Sequence, residues 1–414
     1  MKYSFLLGVA LALSLPVEAA ILNVPVDQPT IQAAINAAKK GDTILVAPGI
    51  YRENINFLGK AIVVKSSGGS KVTIIDGGRL GPVVTFNTNE GRKSILSGFT
   101  IQNGDGNYNA GYDGGGVRIF YASPTVTANI ITHNTAANGG AGIAVEFSSA
   151  LVQGNTVTYN SQAPGFSGGV GGGGIFVGGA GAAQIVGNNI QNNSWMTSDG
   201  GGMTLFAAGT PTLRNNIIKW NTAGSQGGGI WIVNYSDALI LQNLITNNTA
   251  PQGAGIYFLV PSGYRGPLLV NNTIAGTSSS PQGSAVYAAG FYDQVVFYNN
   301  VLVGAAGTSA MYCDNTYDQT PPTLSHNDGF SLTGTGFGGA CNPQNGVNGN
   351  IAADPMFVGP TNFRLKVGSP GIDAGLNTAP NLPPKDLAGA QRIVDALNDG
   401  SGPVIDLGVY EYPN

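Results

Sequence analysis

The feature that most limits how this chain can fold is a repeat of about 28 residues that runs through its middle. One marker of the repeat is an asparagine set between apolar residues, and a second marker, an apolar residue after two or three small ones, keeps the same period. The asparagines are Asn129, Asn155, Asn188, Asn216, Asn243, Asn272 and Asn300, and the apolar residues are Val117, Ile143, Ile175, Met203, Ile230, Ile256 and Val286. A fixed period of this length predicts a solenoid in which each repeat is one coil.

Within each repeat, apolar residues occupy alternate positions, as at Ile230 and Ile232 and again at Leu239 and Leu241. Alternation is typical of strands with one buried face, and Gly, Asn and Pro divide each repeat into about three such strands. A unit this small cannot bury its inner face alone, but stacked copies can, with strands paired about 4.8 Å apart. We therefore predict an all-β parallel solenoid.

The chain is polar through Asn, Ser, Thr and Gln, because Asp, Glu, Lys and Arg make up only 10% of it. A net charge of −4 without a Lys/Arg cluster gives no basis for a nucleic-acid partner. Residues 1–19 combine a lysine, a short apolar run and small residues at Val17 and Ala19, which predicts a signal peptide, secretion and no transmembrane segment. In a secreted chain we expect Cys313 and Cys341 to form a disulfide.

The repeats resemble those of right-handed, single-stranded parallel β-helix proteins of the pectin-lyase-like superfamily, with three short strands per coil. The stretch from Thr30 to Asn54 is similar to the usual start of that superfamily, and its apolar residues at helical spacing predict an N-terminal capping helix over the open first coil. The stretches DPMF, FRLKVGSPGIDAG and IDLGVYEY resemble a choice-of-anchor Q domain. Because the superfamily includes lyases, hydrolases, esterases, epimerases, adhesins and inert rods, the resemblance does not select an activity.

These observations predict four parts of the chain. Residues 1–19 are the signal peptide, and residues 20–60 are the cap helix with the first strands. Residues 61–312 form the coils of the β-helix, and residues 313–414 form the final coils with the choice-of-anchor Q-like module. In that module we expect an internal ion-pair network that closes the last coil, formed by Asp386, Arg392, Asp406 and Glu411.

Two rows of asparagine are expected to be structural. The seven asparagines of the repeat lie in turns, where their amides can hydrogen-bond from coil to coil. A second row of the same kind consists of Asn134, Asn160, Asn193, Asn221 and Asn248. A further polar row precedes the glycine-rich step of each coil, at Asp113, Asp199, Gln226, Gln252 and Gln282.

One strand of each coil presents an unexpected outer face. If the apolar residues of the second marker point inward, their neighbours point outward, and those neighbours are mostly aromatic or apolar rather than the Thr, Ser, Lys or Glu of a solvated strand. Three alternatives are open: loops cover this aromatic row, a second copy of the chain buries it, or its flat rings stack on the sugars of a polysaccharide, since one coil step is close to one sugar unit in length. The predicted glycan-binding residues are Phe120, Phe176, Phe206, Trp231, Tyr257 and Tyr287.

Charged residues occur in the same rows and supply the candidates for catalysis. Arg118 and Glu146 belong to adjacent coils with backbones about 8 Å apart, so we expect a salt bridge or, by resemblance to polysaccharide lyases of the superfamily, a base at Arg118. Hydrolysis needs two close carboxylates, and the extended strand places Asp113 about 20 Å from Glu146, which argues against that pair. The signature motifs of polygalacturonases and pectate lyases are absent from the sequence; the stretch GIYRE at Gly49 to Glu53 is similar to one in pectin methylesterases, but the later Asp-bearing motifs of that family are absent.

One loop has oxygen-bearing side chains at the alternate spacing that opens a calcium loop, namely Asp105, Asn107, Asn109 and Asp113. Calcium is therefore the candidate cofactor, with a plain Asn/Gly-rich turn as the alternative. Together the observations predict a secreted β-helix protein that binds a polysaccharide or cell-surface glycan along its aromatic row. If it is an enzyme, lyase-like cleavage is expected; the alternative is a non-catalytic surface or matrix protein or an adhesin. The sequence does not define an oligomeric state.

Overall fold

The chain is an all-β, right-handed parallel β-helix, as the sequence predicted. The computed structural model describes residues 19–107, 113–261, 263–275, 282–291, 294–317, 320–397 and 402–413. Each coil contributes one strand to each of three long parallel sheets, and neighbouring strands in a sheet come from successive coils. The inner faces of the three sheets enclose one continuous hydrophobic core along the rod.

Sheets A and B carry the rod's first and second long faces in chain order. Among the described residues, the strands of sheet A are Ile21–Val24, Thr43–Val46, Val63–Ser66, Ile95–Ser97, Thr125–Thr127, Leu151–Gln153, Gln184–Val186, Thr212–Arg214, Leu239–Leu241, Leu268–Val270, Val296–Tyr298 and Thr323–Ser325. Those of sheet B are Gly49–Tyr51, Thr73–Asp76, Thr100–Gln102, Ile130–Thr132, Thr156–Thr158, Asn189–Gln191, Ile217–Lys219, Leu244–Thr246, Thr273–Ala275, Val301–Gly304 and Asp328–Ser331.

Sheet C carries the third face, and its strands are Ile55–Asn56, Val84–Phe86, Val117–Phe120, Ile143–Glu146, Ile175–Gly178, Met203–Phe206, Ile230–Val233, Ile256–Leu259, Val286–Gly290, Ser309–Cys313 and Thr335–Gly339. A shorter sheet D lies between sheets B and C, with strands Asp105–Gly106, Thr135–Ala136, Ser161–Gln162, Ser194–Trp195 and Thr222–Ala223. The register of sheet C aligns the seven apolar residues of the second sequence marker, which confirms the predicted phase of the repeat.

The first coil is covered by a helix, Ile31–Ala37, as expected from its apolar stripe. Thr30 caps the helix N-terminus by accepting a hydrogen bond from the backbone N–H of Ala33. The carboxylate of Glu53 accepts from the N–H groups of Ile31 and Gln32 at 2.9 Å each, so the first turn is held to the coil beneath it. No helix in the described residues is long and apolar enough to span a membrane.

Both asparagine rows form hydrogen-bonded ladders along the rod. In the first row, Asn216 donates from Nδ2 to Asn243 Oδ1 at 2.9 Å and accepts from Asn188 Nδ2 at 3.1 Å. The row extends beyond the seven predicted members to Asn327 and Asn350. The second row has the same pattern, with Nδ2 to Oδ1 distances of 2.9–3.0 Å from Asn134 through Asn248.

The C-terminal part of the chain turns back along the rod and does not extend it. After a 3-10 turn at Asn342–Gln344 and an antiparallel pair, Phe357–Gly359 with Asn362–Leu365, the chain packs over the corner between sheets A and B. There Asn271 donates from Nδ2 to the carbonyls of Asp406 and Gly408. A disulfide joins Cys313, at the end of a sheet C strand, to Cys341.

The polar residues of this returning segment form the expected network, but at a different place. Arg392 donates from Nη1 to Glu411 Oε1 at 2.6 Å and from Nε to Gln242 Oε1 at 2.9 Å, while Asp386 accepts from the backbone N–H of Glu411. Because Gln242 belongs to a coil in the middle of the rod, the network fastens the returning segment there. The expectation that it closes the last coil was wrong.

Candidate functional site

The outer face of sheet C carries the aromatic row, and the structure divides that row into a covered and an open part. The register places Phe176, Trp231, Tyr257 and Tyr287 at equivalent positions of their coils. Phe176, Tyr257 and Tyr287 are only 4–6% exposed. Phe120, Phe206 and Trp231 are half-buried.

The covered part is a packed cluster near the C-terminal end of sheet C. Tyr257 and Tyr287 stack with ring centroids 5.6 Å apart, Tyr312 packs on Tyr287, and the Tyr287 hydroxyl donates to Asp314 Oδ2 at 2.8 Å. Burial raises the pKa of Tyr287 well above its ordinary value, and the hydrogen bond to Asp314 raises it further. Tyr257 and Tyr287 therefore pack inside the protein and do not form an open binding surface. For these two residues, the predicted alternative in which the protein itself covers the row applies.

A cleft of about 450 Å³ crosses sheet C from its glycine-rich loops to the corner with sheet A, and of the aromatic row Phe176 and Phe206 line it. The ring centroid of Phe206 is 6.3 Å from that of Trp231. Trp231 Nε1 donates to Gln226 Oε1, and Gln226 donates to Gln252, so the predicted polar row orients the indole. The residues that line the cleft are Asp113, Asn138, Glu146, Phe147, Val170, Phe176, Gly178, Gly179, Ala180, Phe206, Ala207 and Tyr235.

Two carboxylic acids, Asp113 and Glu146, line this cleft together. Asp113 precedes Gly114, which has a φ of +82° and turns the chain so sharply that a Cβ there would lie 2.7 Å from the Val117 carbonyl oxygen. The segment therefore doubles back over the strand that follows it. The predicted separation of about 20 Å was wrong because it assumed an extended chain between Asp113 and the strand.

Burial sets the charge of both carboxyl groups. Burial and, to a smaller extent, the nearby Asp113 carboxylate raise the pKa of Glu146 to about 7, against the opposing positive charge of Arg118. Burial also raises the pKa of Asp113, against a hydrogen bond that Asn138 Nδ2 donates to Asp113 Oδ2 at 3.3 Å and against Arg118. Near neutral pH Glu146 is thus about half protonated, and it shares the cleft with a second carboxyl group whose pKa is also raised.

Arg118 lies behind these carboxyl groups and does not line the cleft. It is 8% exposed, and its guanidinium carbon lies 4.8 Å from the centre of the Phe120 ring. The register pairs Arg118 with Ala144 and Phe120 with Glu146, as the sequence predicted. The salt bridge found among the described residues joins Arg392 to Glu411, so the expected salt bridge between Arg118 and Glu146 is not formed. The positive charge of Arg118 nevertheless acts to lower the pKa of Glu146.

The residues of the predicted calcium loop have separate partners. Asp105 Oδ1 accepts a hydrogen bond from Thr135 Oγ1 at 3.1 Å, and Asp113 accepts one from Asn138. Asn107 is a described residue, whereas Asn109 lies outside the described residues. In the part of the chain that the structure describes, no three His, Cys, Asp or Glu side chains form a metal-binding cluster. Calcium stays a prediction.

Exposed aromatic residues at the corner between sheets C and A were missed by the sequence reasoning. Tyr121 and Phe147 follow adjacent strands with φ of 48° and 49°, and their rings stack with centroids 4.6 Å apart and planes inclined by 4°. Tyr235, farther along the same corner, contacts Tyr264 at 4.5 Å between centroids. Phe147 and Tyr235 form opposite ends of the cleft. The signal was an aromatic residue directly after the strand in two successive coils.

The coil positions between these two ends carry small residues. Gly179 and Ala207 follow the next two strands of sheet C, at the positions equivalent to Phe147. A Cβ on Gly179 would lie 2.6 Å from the Phe147 ring, so glycine allows that ring to lie against the cleft floor. The gap at the corner therefore depends on both the small side chains and the backbone conformation.

Comparisons with known proteins agree with this architecture. Residues 166–359 match a family model described as right handed beta helix region. Pectate lyase Pel9A is similar over 96% of this chain and 98% of its own, with a TM-score of 0.51 and 17% identity. XylC, solved in complex with xylose, covers 96% of this chain and 99% of its own, with a TM-score of 0.53 and 11% identity. No curated protein sequence matches the chain. The chain thus has a right-handed parallel β-helix fold, similar to that of pectate lyase Pel9A.

Proposed function

We propose that this protein is secreted and binds a polysaccharide in the cleft over sheet C. The proposal rests on one observation: a single cleft of about 450 Å³ is lined both by aromatic residues and by two carboxylic acids, namely Phe147, Phe206, Tyr235, Asp113 and Glu146. Aromatic rings pack on the apolar faces of sugars, and carboxyl groups accept hydrogen bonds from sugar hydroxyls. Such a combination of apolar walls with a few polar groups is typical of small-ligand sites.

The fold is compatible with this proposal. Pel9A is a pectate lyase and XylC binds xylose, so the parallel β-helix can present glycan sites. Secretion rests on residues 1–19 alone, and the resemblance of residues 313–414 to a choice-of-anchor Q domain stays a prediction. Of the aromatic row predicted from the sequence, we assign glycan contact in the cleft to Phe206, which is half-buried and lines it; Phe120 and Trp231 are half-buried but do not line the cleft.

A second candidate function, cleavage of the bound glycan, is favoured by the pair of carboxyl groups. A pKa of about 7 keeps the Glu146 proton available near neutral pH, as a general acid requires. In that reaction Glu146 donates its proton to the glycosidic oxygen as the bond from this oxygen to the anomeric carbon breaks. A water molecule bonds to the anomeric carbon and the Asp113 carboxylate takes the water's proton.

This candidate differs from the lyase expected from the sequence. A lyase reaction with Arg118 as base requires its guanidinium to contact the sugar, yet Arg118 is 8% exposed and lies over Phe120. A non-catalytic surface or matrix protein or adhesin uses the same cleft for binding alone. Products separate the three possibilities. Hydrolysis and a lyase reaction both create a new reducing end, only the lyase reaction adds an ultraviolet-absorbing double bond, and an adhesin creates neither.

The experiment is a binding measurement against a panel of plant, algal and bacterial polysaccharides, followed by product analysis for every ligand found. Phe206→Ala is expected to weaken binding at least about tenfold without loss of folding. Trp220→Ala is the matched control, because Trp220 is 45% exposed at the corner after a sheet B strand, away from the cleft. Binding that is equal in wild type and Phe206→Ala, or absent throughout the panel, contradicts the proposal.

A further inference from the structure

The charges of the cleft are of one sign. Among the described residues that line the cleft, Asp113 and Glu146 are the carboxylic acids, and none of these lining residues is Lys, Arg or His. Arg118, the nearest cation described above, is 8% exposed and covered by the Phe120 ring. Residues 108–112, which precede Asp113 in the sequence, read YNAGY and include no Lys or Arg.

The remaining surface of the cleft is uncharged. Its walls are the rings of Phe147, Phe176, Phe206 and Tyr235, and its floor includes Gly178 and Gly179. A ligand carboxylate placed here would lose its water shell and would meet two carboxyl groups, with no exposed cation in the lining to replace that water. The hydroxyl groups of a neutral sugar would instead donate hydrogen bonds to Asp113 and Glu146.

We infer that the cleft selects an uncharged glycan and rejects uronates, with Asp113 and Glu146 as the residues that determine this choice. The inference rests on the proposed function and deepens it by naming the substrate class. It differs from the expectation raised by the lyase resemblance, in which a uronate carboxylate is neutralised by a cation. The occupant is a linear neutral chain of pentoses or hexoses, whose faces pack on the aromatic walls.

The dimensions of the cleft guide the choice of probes. Phe147 and the strand before Tyr235 belong to coils three steps apart in sheet C, a span of about 14 Å at about 4.8 Å per coil. Four linked sugars are long enough to cover this span. Suitable neutral probes are tetrasaccharides of xylose, glucose and mannose, and the charged probes are tetrasaccharides of galacturonate and mannuronate.

The test measures the affinity of each probe by calorimetry at pH 8, above the pKa of about 7 of Glu146, once with a chelator and once with calcium. At least one neutral tetrasaccharide is expected to bind at least about tenfold more tightly than every uronate in both conditions. Glu146→Gln and Asp113→Asn are each expected to decrease the ratio of neutral-probe affinity to uronate affinity, because each removes one charge that repels the uronate carboxylate. Asp354→Asn, on an exposed residue of the C-terminal part, is expected to leave the ratio unchanged.

Two variants keep the test decisive if one of them fails to fold. A uronate that binds as tightly as the neutral probes, with or without calcium, overturns the inference and leaves the proposed glycan function standing. A preference for neutral probes that neither variant changes overturns the role of the two carboxyl groups. The absence of binding by any probe and by the wider polysaccharide panel overturns the proposed function, and the inference with it.

Discussion

The carboxyl groups of Asp113 and Glu146 line the same cleft, although they belong to different coils and Asp113 precedes the turn into its strand. The Asp113 carboxylate and the burial of Glu146 together raise the pKa of Glu146 to about 7. Such a pair is costly for stability, because each charged carboxyl group disfavours the charge of the other. Its placement among exposed aromatic rings is the reason to regard it as functional.

The raised pKa of Glu146 predicts a pH dependence of stability. Between its ordinary value of 4.5 and about 7, the folded protein keeps a proton that the unfolded chain releases. The free energy of unfolding therefore decreases as the pH rises through this window, and the decrease is complete above about pH 7. Glu146→Gln, which cannot ionise, is expected to be less sensitive to pH and more stable than wild type at pH 8. Urea unfolding at pH 4, 6 and 8 measures this.

Asp328 is also expected to make the free energy of unfolding decrease as the pH rises, so its effect must be distinguished from that of Glu146. It is buried near the end of the rod, and burial together with Asp354 raises its pKa to about 7. The double variant Glu146→Gln with Asp328→Asn is therefore expected to show less loss of stability between pH 4 and pH 8 than either single variant. A loss equal to that of wild type in Glu146→Gln would contradict the assignment to Glu146.

The asparagine ladder predicts a large cost for removing one internal amide. Asn216 donates from Nδ2 to Asn243 Oδ1 and to the Ile185 carbonyl, and its Oδ1 accepts from the backbone N–H and the amide of Asn188. Asn216→Ala leaves several of these buried groups without partners, so we expect a loss of about 3 kcal/mol in the free energy of unfolding. Chemical denaturation measures the difference.

The control for this variant is an asparagine outside the ladder. Asn189, in the neighbouring sheet B strand, is half-buried, and its side-chain oxygen accepts no hydrogen bond within the described residues. Asn189→Ala is therefore expected to cost less than about 1 kcal/mol. Equal losses in the two variants would show that the ladder adds nothing beyond ordinary side-chain burial.

The fold could be predicted from the sequence because its rules are local and repeated. Alternation at Ile230 and Ile232 assigns the buried face of one strand, and the recurrence of Asn216 and Asn243 one coil apart fixes how coils align. Each coil repeats the same apolar alternation and the same asparagine, so an ambiguous strand in one coil can be assigned from the neighbouring coils. The order of strands and their register follow from that periodicity.

The cleft could not be predicted in the same way, because it depends on departures from the repeat. The position of Asp113 is set by the positive φ of Gly114, and the gap at the corner is set by Gly179 beside Phe147. Tyr121 and Phe147 lie in turns, where strand alternation assigns no face. The covering of Tyr287 by Tyr312 and Asp314 depends on a segment whose course the repeat does not define.

The contact between Gly179 and Phe147 predicts an effect on binding that is separable from backbone strain. Gly179 has a φ of +70°, and a Cβ there would lie 2.6 Å from the Phe147 ring. Gly179→Ala is therefore expected to displace that ring from the cleft and to weaken binding of any ligand found for wild type at least about fivefold. Gly187→Ala is the matched control, because Gly187 has a φ of +62° and no neighbour within 4 Å of the added Cβ.

Both alanine variants are expected to lose about 1–2 kcal/mol of stability from the left-handed backbone. Only Gly179→Ala should change ligand affinity, which calorimetry at a temperature well below both unfolding transitions measures. If Gly187→Ala weakens binding as much, the effect comes from strain spread through the rod. If neither variant weakens binding, Phe147 does not form a wall of the ligand site.

The buried network around Arg392 predicts that the returning C-terminal segment depends on one side chain. Arg392 joins Glu411 to Gln242 of a middle coil and donates from Nη2 to the Gly408 carbonyl at 3.0 Å. Burial raises the pKa of Glu411 to about 7 and that of Asp406 to about 6, against the charge of Arg392. Arg392→Met leaves the buried Glu411 and Asp406 carboxyl groups without a neighbouring positive charge. We expect it to lower the free energy of unfolding by about 3–5 kcal/mol.

Hydrogen exchange locates that loss, because the network fastens the segment to the rod at one place. Arg392→Met is expected to speed exchange of the amides of Gly408 and Val409, which bond to Asn299 and Thr273, while the amides of sheet C stay protected. Arg364→Met is the control, since the Arg364 guanidinium packs on Tyr410 at 4.4 Å and is not part of the network. Faster exchange throughout the rod in Arg392→Met would mean that the segment and the coils unfold together, and protection equal to wild type would mean that Arg392 does not fasten the segment.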